Sequence, residues 1–232
     1  MPTIPPGRSL FSVKSLGFCA LFSLFTFCCE RLPAATITPL CNTGTQVSGS
    51  SCSAVLNGGA SDASYMLTVN PNIPGGSNSY VVVADPSGYP LNSWIANSAV
   101  SEWIGPAMAD QPCCGLGDYT YDQSFTVSGG AETISGRWAA DNEATMYVNG
   151  VEVAVGGTTA TFQQWTPFSF SVSTPGTQTF DLTFVVDNYG EASGLRVEFN
   201  SAPEPSTFAA LGAGLVMIGF IKRKRVGRTA VE

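Results

Sequence analysis

Four tryptophans, a crowd of carboxylates and no histidine define the chemistry open to this chain. A pyranose presents an apolar C–H face that stacks on an indole, while nearby Asp, Asn or Arg side chains bond its hydroxyls. Trp94, Trp103, Trp138 and Trp165 are the candidate platforms, and Arg137, Asp141 and Asn142 the candidate polar partners. Each tryptophan also has a packing role open to it, because large aromatic side chains dominate core energetics. Trp138 lies in an alternating run and reads as core. Trp94 and Trp103 lie among Asn, Ser, Gly and Pro, a loop-like setting in which platform and packing are equally open. Trp165 reads as core or rim.

Asp110, Asp118 and Asp122 cluster around Cys113-Cys114 and could offer hard oxygen ligands to Ca²⁺. Asp141, Asn142 and Glu143 form a second oxygen-rich turn. Neither has the regular spacing of a calcium loop, so solvated turns in which Asp bonds its own backbone are favoured. No other cofactor is implied. Without histidine the common Ser-His-Asp and Cys-His nucleophile systems are unavailable. A glycosidase would need two carboxylates at a defined separation, which a sequence does not display. No catalytic residue is therefore assigned, and the chain is expected to be non-catalytic.

The elements that must position these residues lie between two unlike ends. Arg8 and Lys14 precede an apolar stretch from Leu16 to Cys29, followed by Pro33-Ala34-Ala35. That is the layout of a secretory signal peptide, assigned to residues 1–35. At the other end, Pro203-Glu204-Pro205 is followed by an apolar run from Phe208 to Ile221 and by Lys222, Arg223, Lys224 and Arg225. The run is shorter than the roughly 20 residues of a full span. The basic cluster should resist translocation. Proline-bounded motif, short helix and basic tail together resemble the PEP-CTERM sorting signal of bacterial surface proteins. The resemblance implies a transient membrane anchor over residues 202–232 and an exosortase-type processing protease as partner. It also implies delivery to the cell surface or extracellular matrix.

Residues 36–201 remain as one domain. Arg137 and Arg196 are its only cations, against fourteen carboxylates, a net charge of −12. Phosphate contacts need clustered Lys and Arg, so nucleic-acid binding is excluded. Acidic polymers are repelled, and neutral glycans stay compatible. Cys41, Cys52, Cys113 and Cys114 are disulfide candidates in an exported protein. Cys41 could pair locally with Cys52 across a Gly- and Ser-rich loop, or the pairing could be long-range. Four cysteines allow three complete connectivities.

Period-two alternation marks the body as strands. Tyr119, Tyr121, Phe125 and Val127 share one parity, as do Phe180, Leu182, Phe184 and Val186. Leu195, Val197 and Phe199 alternate with Arg196 and Glu198. Further strands are expected over Tyr65 to Val69, Tyr80 to Ala84, Ile134 to Ala139, Ala144 to Val148 and Phe168 to Val172. Asn149-Gly150 between two apolar runs predicts a hairpin with a type I′ turn. Many short strands with turn signals predict an all-β jelly roll or β-sandwich.

The run from Arg137 through Asp141-Asn142 to Met146-Tyr147-Val148-Asn149-Gly150 resembles a segment of galactose-binding-like jelly rolls. Trp94-Ile95-Ala96-Asn97, Trp103-Ile104-Gly105-Pro106 and Gly194-Leu195-Arg196-Val197 are similar to the recurrent body of PEP-CTERM-tailed proteins. That fold hosts sugar binders, adhesion modules and inert domains. The expectation is an exported, non-catalytic matrix protein that holds exopolysaccharide. Its rival is a purely structural or adhesive surface protein, and a carboxylate-dependent glycan hydrolase stands further off.

Overall fold

The computed structural model describes residues 35–107, 114–156 and 161–200. The signal peptide expected over residues 1–35, all but its last residue, the sorting tail expected over residues 202–232, Asp110 and Cys113 lie outside the described residues. Everything described is β-structure or connection, apart from one 3-10 turn at Thr161–Gln163. Among the described residues no helix is long and apolar enough to cross a membrane.

The strands in chain order are β1 (Thr36–Thr38), β2 (Thr45–Ser48), β3 (Ser51–Val55), β4 (Ser61–Val69), β5 (Ser77–Val81) and β6 (Ile104–Gly105). They are followed by β7 (Gly117–Asp141), β8 (Glu143–Val148), β9 (Val151–Val155), β10 (Thr166–Asn188) and β11 (Gly194–Phe199). Two of these, β7 and β10, each unite two of the alternating runs expected separately. They pair antiparallel from Thr166↔Trp138 to Asn188↔Gly117. The ladder slips once, between Thr174 and Thr177, where Pro175 supplies no N–H and Gly129 and Gly130 take φ of +67° and +83°. At that point the paired strands can bend without parting.

The bend lets β7 serve two neighbourhoods. Its N-terminal half pairs with β4 and β1, and its C-terminal half pairs with β11. The chain β4–β5–β6–β11 closes back onto β7, so five strands form a ring. From β10 the sheet continues outward through β8 to β9. The result is an all-β sandwich or barrel body. Asn149 and Gly150 join β8 to β9 with φ of 49° and 76°, the left-handed pair that a type I′ turn requires.

Alternation held where one face is wet. Tyr119, Tyr121, Phe125 and Val127 are buried, as are Phe180, Leu182, Phe184 and Val186. They fill the principal core with Trp138, Phe168 and Leu195. Alternation fails where a strand is covered on both faces. Trp138, Ala139, Ala140 and Asp141 are all buried, because Trp138 and Ala140 meet the principal core while Ala139 meets a second one. The same cover buries Arg196 and Glu198, which alternation alone assigns to a solvent face. The strand expected over Tyr80 to Ala84 runs instead over Ser77–Val81.

Candidate functional site

The second core is where Trp94 and Trp103 go. Their ring centroids lie 4.5 Å apart at 41°, packed with Val82, Ala139 and Ala192. Trp103 is wholly buried and its indole N–H donates to the Ile95 carbonyl at 2.7 Å. Trp94 is 6% exposed. Gly194 makes room for it, since a Cβ there would meet the Trp94 ring at 2.7 Å. The platform expectation is thus corrected. The segment is irregular but folds inward, because two indoles bury more apolar surface than any loop of Asn and Ser can compensate.

Trp94 does reach one predicted partner. Its Nε1–H donates to Asp141 Oδ2 at 3.0 Å. Asp141 Oδ1 is buried and has no hydrogen-bond partner among the described residues. Burial pushes the Asp141 carboxyl up to about 6; the Trp94 bond opposes this and the nearby Glu191 charge adds to it. Glu191 stands in the left-handed region at φ +67° and accepts the Tyr89 hydroxyl at 3.2 Å. Its backbone carbonyl receives Cys114 N–H at 3.0 Å. Asn142 clasps the same loop: its N–H donates to the Asp187 carbonyl at 3.2 Å, and its Oδ1 accepts Tyr189 N–H at 2.8 Å. Glu191, Tyr89 and Tyr189 had no sequence signal, since they join Asp141 only through the meeting of two loops.

Arg137 sits apart from this cluster, despite lying four positions before Asp141. Its guanidinium binds Glu198 Oε2 through Nε at 2.9 Å and Nη2 at 2.5 Å, and covers the Trp165 ring at 4.2 Å. Arg196 binds the other oxygen of Glu198 at 2.9 Å. Ser98 and Ser101 hydroxyls complete that carboxylate at 3.1 and 2.7 Å. Burial alone would raise Glu198, but the Ser101, Arg137, Arg196 and Ser98 contacts outweigh it and hold the carboxyl low. Both body cations are therefore paired with one acid, Arg196 buried and Arg137 half-exposed.

Asp118 and Asp122 do not converge. Asp118 stands opposite Asp187 in the ladder, and Asp187 stands opposite Glu143. Asp122 lies four residues along the strand, about 13 Å away. Both its oxygens are taken by threonine: Thr68 at 2.6 Å and Thr183. Among the described residues no group of three or more acids, cysteines or histidines is arranged to hold a metal ion. Cys41 and Cys52 are bridged, with Cα atoms 5.4 Å apart, so the local pairing is the one formed. A disulfide fits an oxidising compartment.

One open surface lies across β4, β7 and β10. A groove of about 770 Å³ is lined by Met66, Thr68, Asp122, Ser124, Asp181 and Thr183, with Asn149 and Gly150 at one side. Met66 is 62% exposed there. Asp181 accepts the Ser124 hydroxyl at 2.8 Å, and its backbone exchanges bonds with Asn149, N–H to Oδ1 at 2.9 Å and carbonyl to N–H at 2.8 Å. The Cys41–Cys52 bridge stands beside it, and Gln123 fixes Cys41 by donating to its carbonyl at 3.1 Å. The groove thus offers fixed oxygen acceptors around an apolar thioether, and no cation.

No protein-family model and no curated protein matches the chain. Among solved structures it is similar to a family 35 carbohydrate binding module from an environmental isolate, at 15% identity and TM-score 0.25, over 42% of this chain and 78% of that one. A second is the Arthrobacter globiformis T6 isomalto-dextranase complexed with panose, at 14% identity and TM-score 0.27, over 53% of this chain and 20% of that one. A third is the Kluyveromyces marxianus β-glucosidase in complex with glucose, at 10% identity and TM-score 0.30, over 68% and 21%. The chain spans only about a fifth of the two enzymes. At these TM-scores the likenesses carry no argument about what this chain does.

Proposed function

We propose that this chain is an exported, non-catalytic β-sandwich protein of the cell surface or extracellular matrix that holds a neutral polysaccharide. The groove across β4, β7 and β10 carries the reading. Asp122 and Asp181 are held in place by hydroxyl donors and keep lone pairs for sugar hydroxyls, while exposed Met66 offers an apolar face. Pre-positioned acceptors lower the ordering cost of binding. The groove's negative charge and the net −12 of residues 36–201 disfavour acidic polymers. Export and exosortase processing rest on the two ends of the sequence, and the Cys41–Cys52 disulfide fits that route.

The test is binding of the full chain to arrays of neutral and acidic oligosaccharides. Retention of neutral glycans, weakened about tenfold by Asp122→Asn with Asp181→Asn, is the expected result; folded protein that retains none would overturn the reading. Intact mass of the mature protein from its own cells tests export, and a surface chain still carrying Phe208 to Arg225 would count against processing. The rival, a purely structural or adhesive surface protein, is favoured by one observation: Trp94 and Trp103 are packed in the core. It predicts that groove substitutions leave glycan retention unchanged.

A further inference from the structure

The corner joining β7 to β8 and the loop joining β10 to β11 hold one another at the far end of the ring. Asn142 supplies two of the ties, through the Asp187 carbonyl and the Tyr189 N–H. The Glu143 carboxylate beside the Tyr189 phenol, with burial and the Asp187 charge, pushes that phenol up to about 12. Yet the side chains at this contact are nearly all acids. Asp141 feels the charge of Glu191 on the loop. Asp187, from the end of β10, meets Glu143 on β8 and Asp118 on β7. Burial raises Asp187, and its two acidic neighbours raise it further. Tyr89 joins from the loop after β5 through its bond to Glu191. Arg137 and Arg196 are committed to Glu198, so no cation among the described residues answers these charges.

Asp141 is the most constrained member. It is 6% exposed, one oxygen is bonded to Trp94, and the other is buried without a partner. A buried carboxylate oxygen without a donor is costly when charged and tolerable when protonated. Glu191 cannot retreat freely, because its backbone is held by Cys114 in a left-handed conformation. We propose that this contact is a pH-sensitive clasp: with a proton on Asp141 the Tyr189–Glu191 loop is held against the Asp141-Asn142 corner, and loss of that proton loosens the loop. The switch rests on the burial and crowding of Asp141, independently of any glycan reading.

The direction follows from linkage. A carboxyl that binds its proton more tightly in the closed state favours closure at low pH and opening as pH rises through 6. A displacement from 3.8 to about 6 changes the open-to-closed ratio by on the order of a hundredfold between pH 4 and pH 7.5. The test is amide hydrogen exchange of the full chain at pH 5 and pH 7.5, corrected for intrinsic exchange, read at Tyr189 to Ala192. Wild type should lose about tenfold in protection at the higher pH, while strand amides of β7 and β10 keep theirs. Asp141→Asn should abolish the pH dependence of the loop. Should that variant misfold, Glu191→Gln keeps the Tyr89 contact and should lower the midpoint by removing the facing charge. Protection that is independent of pH in wild type would overturn the clasp. So would pH dependence that persists unchanged in either folded variant.

Discussion

Two acidic regions of this molecule obey opposite rules. In the groove, Asp122 and Asp181 stand on the outer face of paired strands and are met by hydroxyls of Thr68, Thr183 and Ser124. At the end of the ring, Asp141 is buried, half satisfied and set against Glu191. The same residue type is a ready acceptor in one place and a constrained proton site in the other. The difference is burial. Solvent screens the groove acids, whereas the cover of Trp94 and the β10–β11 loop removes that screening from Asp141.

The contrast can be broken most forcefully through the indoles. Trp103→Ala should destabilise the body by about 3–5 kcal/mol in denaturant titration, because a fully buried ring leaves a cavity. Met66→Ala in the groove should change stability by no more than about 0.5 kcal/mol. Equal effects would erase the distinction between core and surface. Next comes the disulfide beside the groove. Cys41→Ser with Cys52→Ser opens an 11-residue loop and should cost about 2–3 kcal/mol. Thermal unfolding with and without reductant reads that loss.

The buried acid sharpens the comparison through pH. The folded-state pKa of Asp141 is raised, so its contribution favours folding at low pH and is lost as pH rises from 3.8 through about 6. Unfolding free energy should therefore fall by about 1–3 kcal/mol across that window, and Asp141→Asn should flatten the slope. An unchanged slope in that variant would show that other carboxyls carry it. The groove acids also matter little to stability. Asp122→Asn and Asp181→Asn should each leave stability within about 0.5–1 kcal/mol while weakening neutral-glycan retention together by about tenfold. Calorimetry on the same preparations separates the two readouts.

Much of the fold was legible from alternation alone. Tyr119 to Val127 and Phe180 to Val186 show their buried parity openly, because each has one wet face. The Asn149-Gly150 turn was legible because few dipeptides accept two positive φ angles. Long-range closure was not. Nothing local says that Gly129-Gly130 and Pro175-Gly176 bend one continuous ladder, or that Leu195–Val197 meets both β6 and β7. At the sites, the sequence offers Trp94, Asp141 and Asn142 as candidate ligand-binding residues, and only the fold shows Trp94 bonded to Asp141. The Asn, Ser, Gly and Pro around Trp94 and Trp103 leave platform and packing equally open, and the second core folds both indoles inward.

By itself the sequence determined the strand periods, the turn chemistry, the acidic character of the body and the lack of histidine chemistry. Each of these depends only on residue type and on neighbours one or two positions away. Tertiary structure alone decided which acids are screened and which are trapped, which tryptophans are covered, and which single carboxylate holds both arginines. Those outcomes depend on what packs over a residue from far along the chain, and neither composition nor spacing records that.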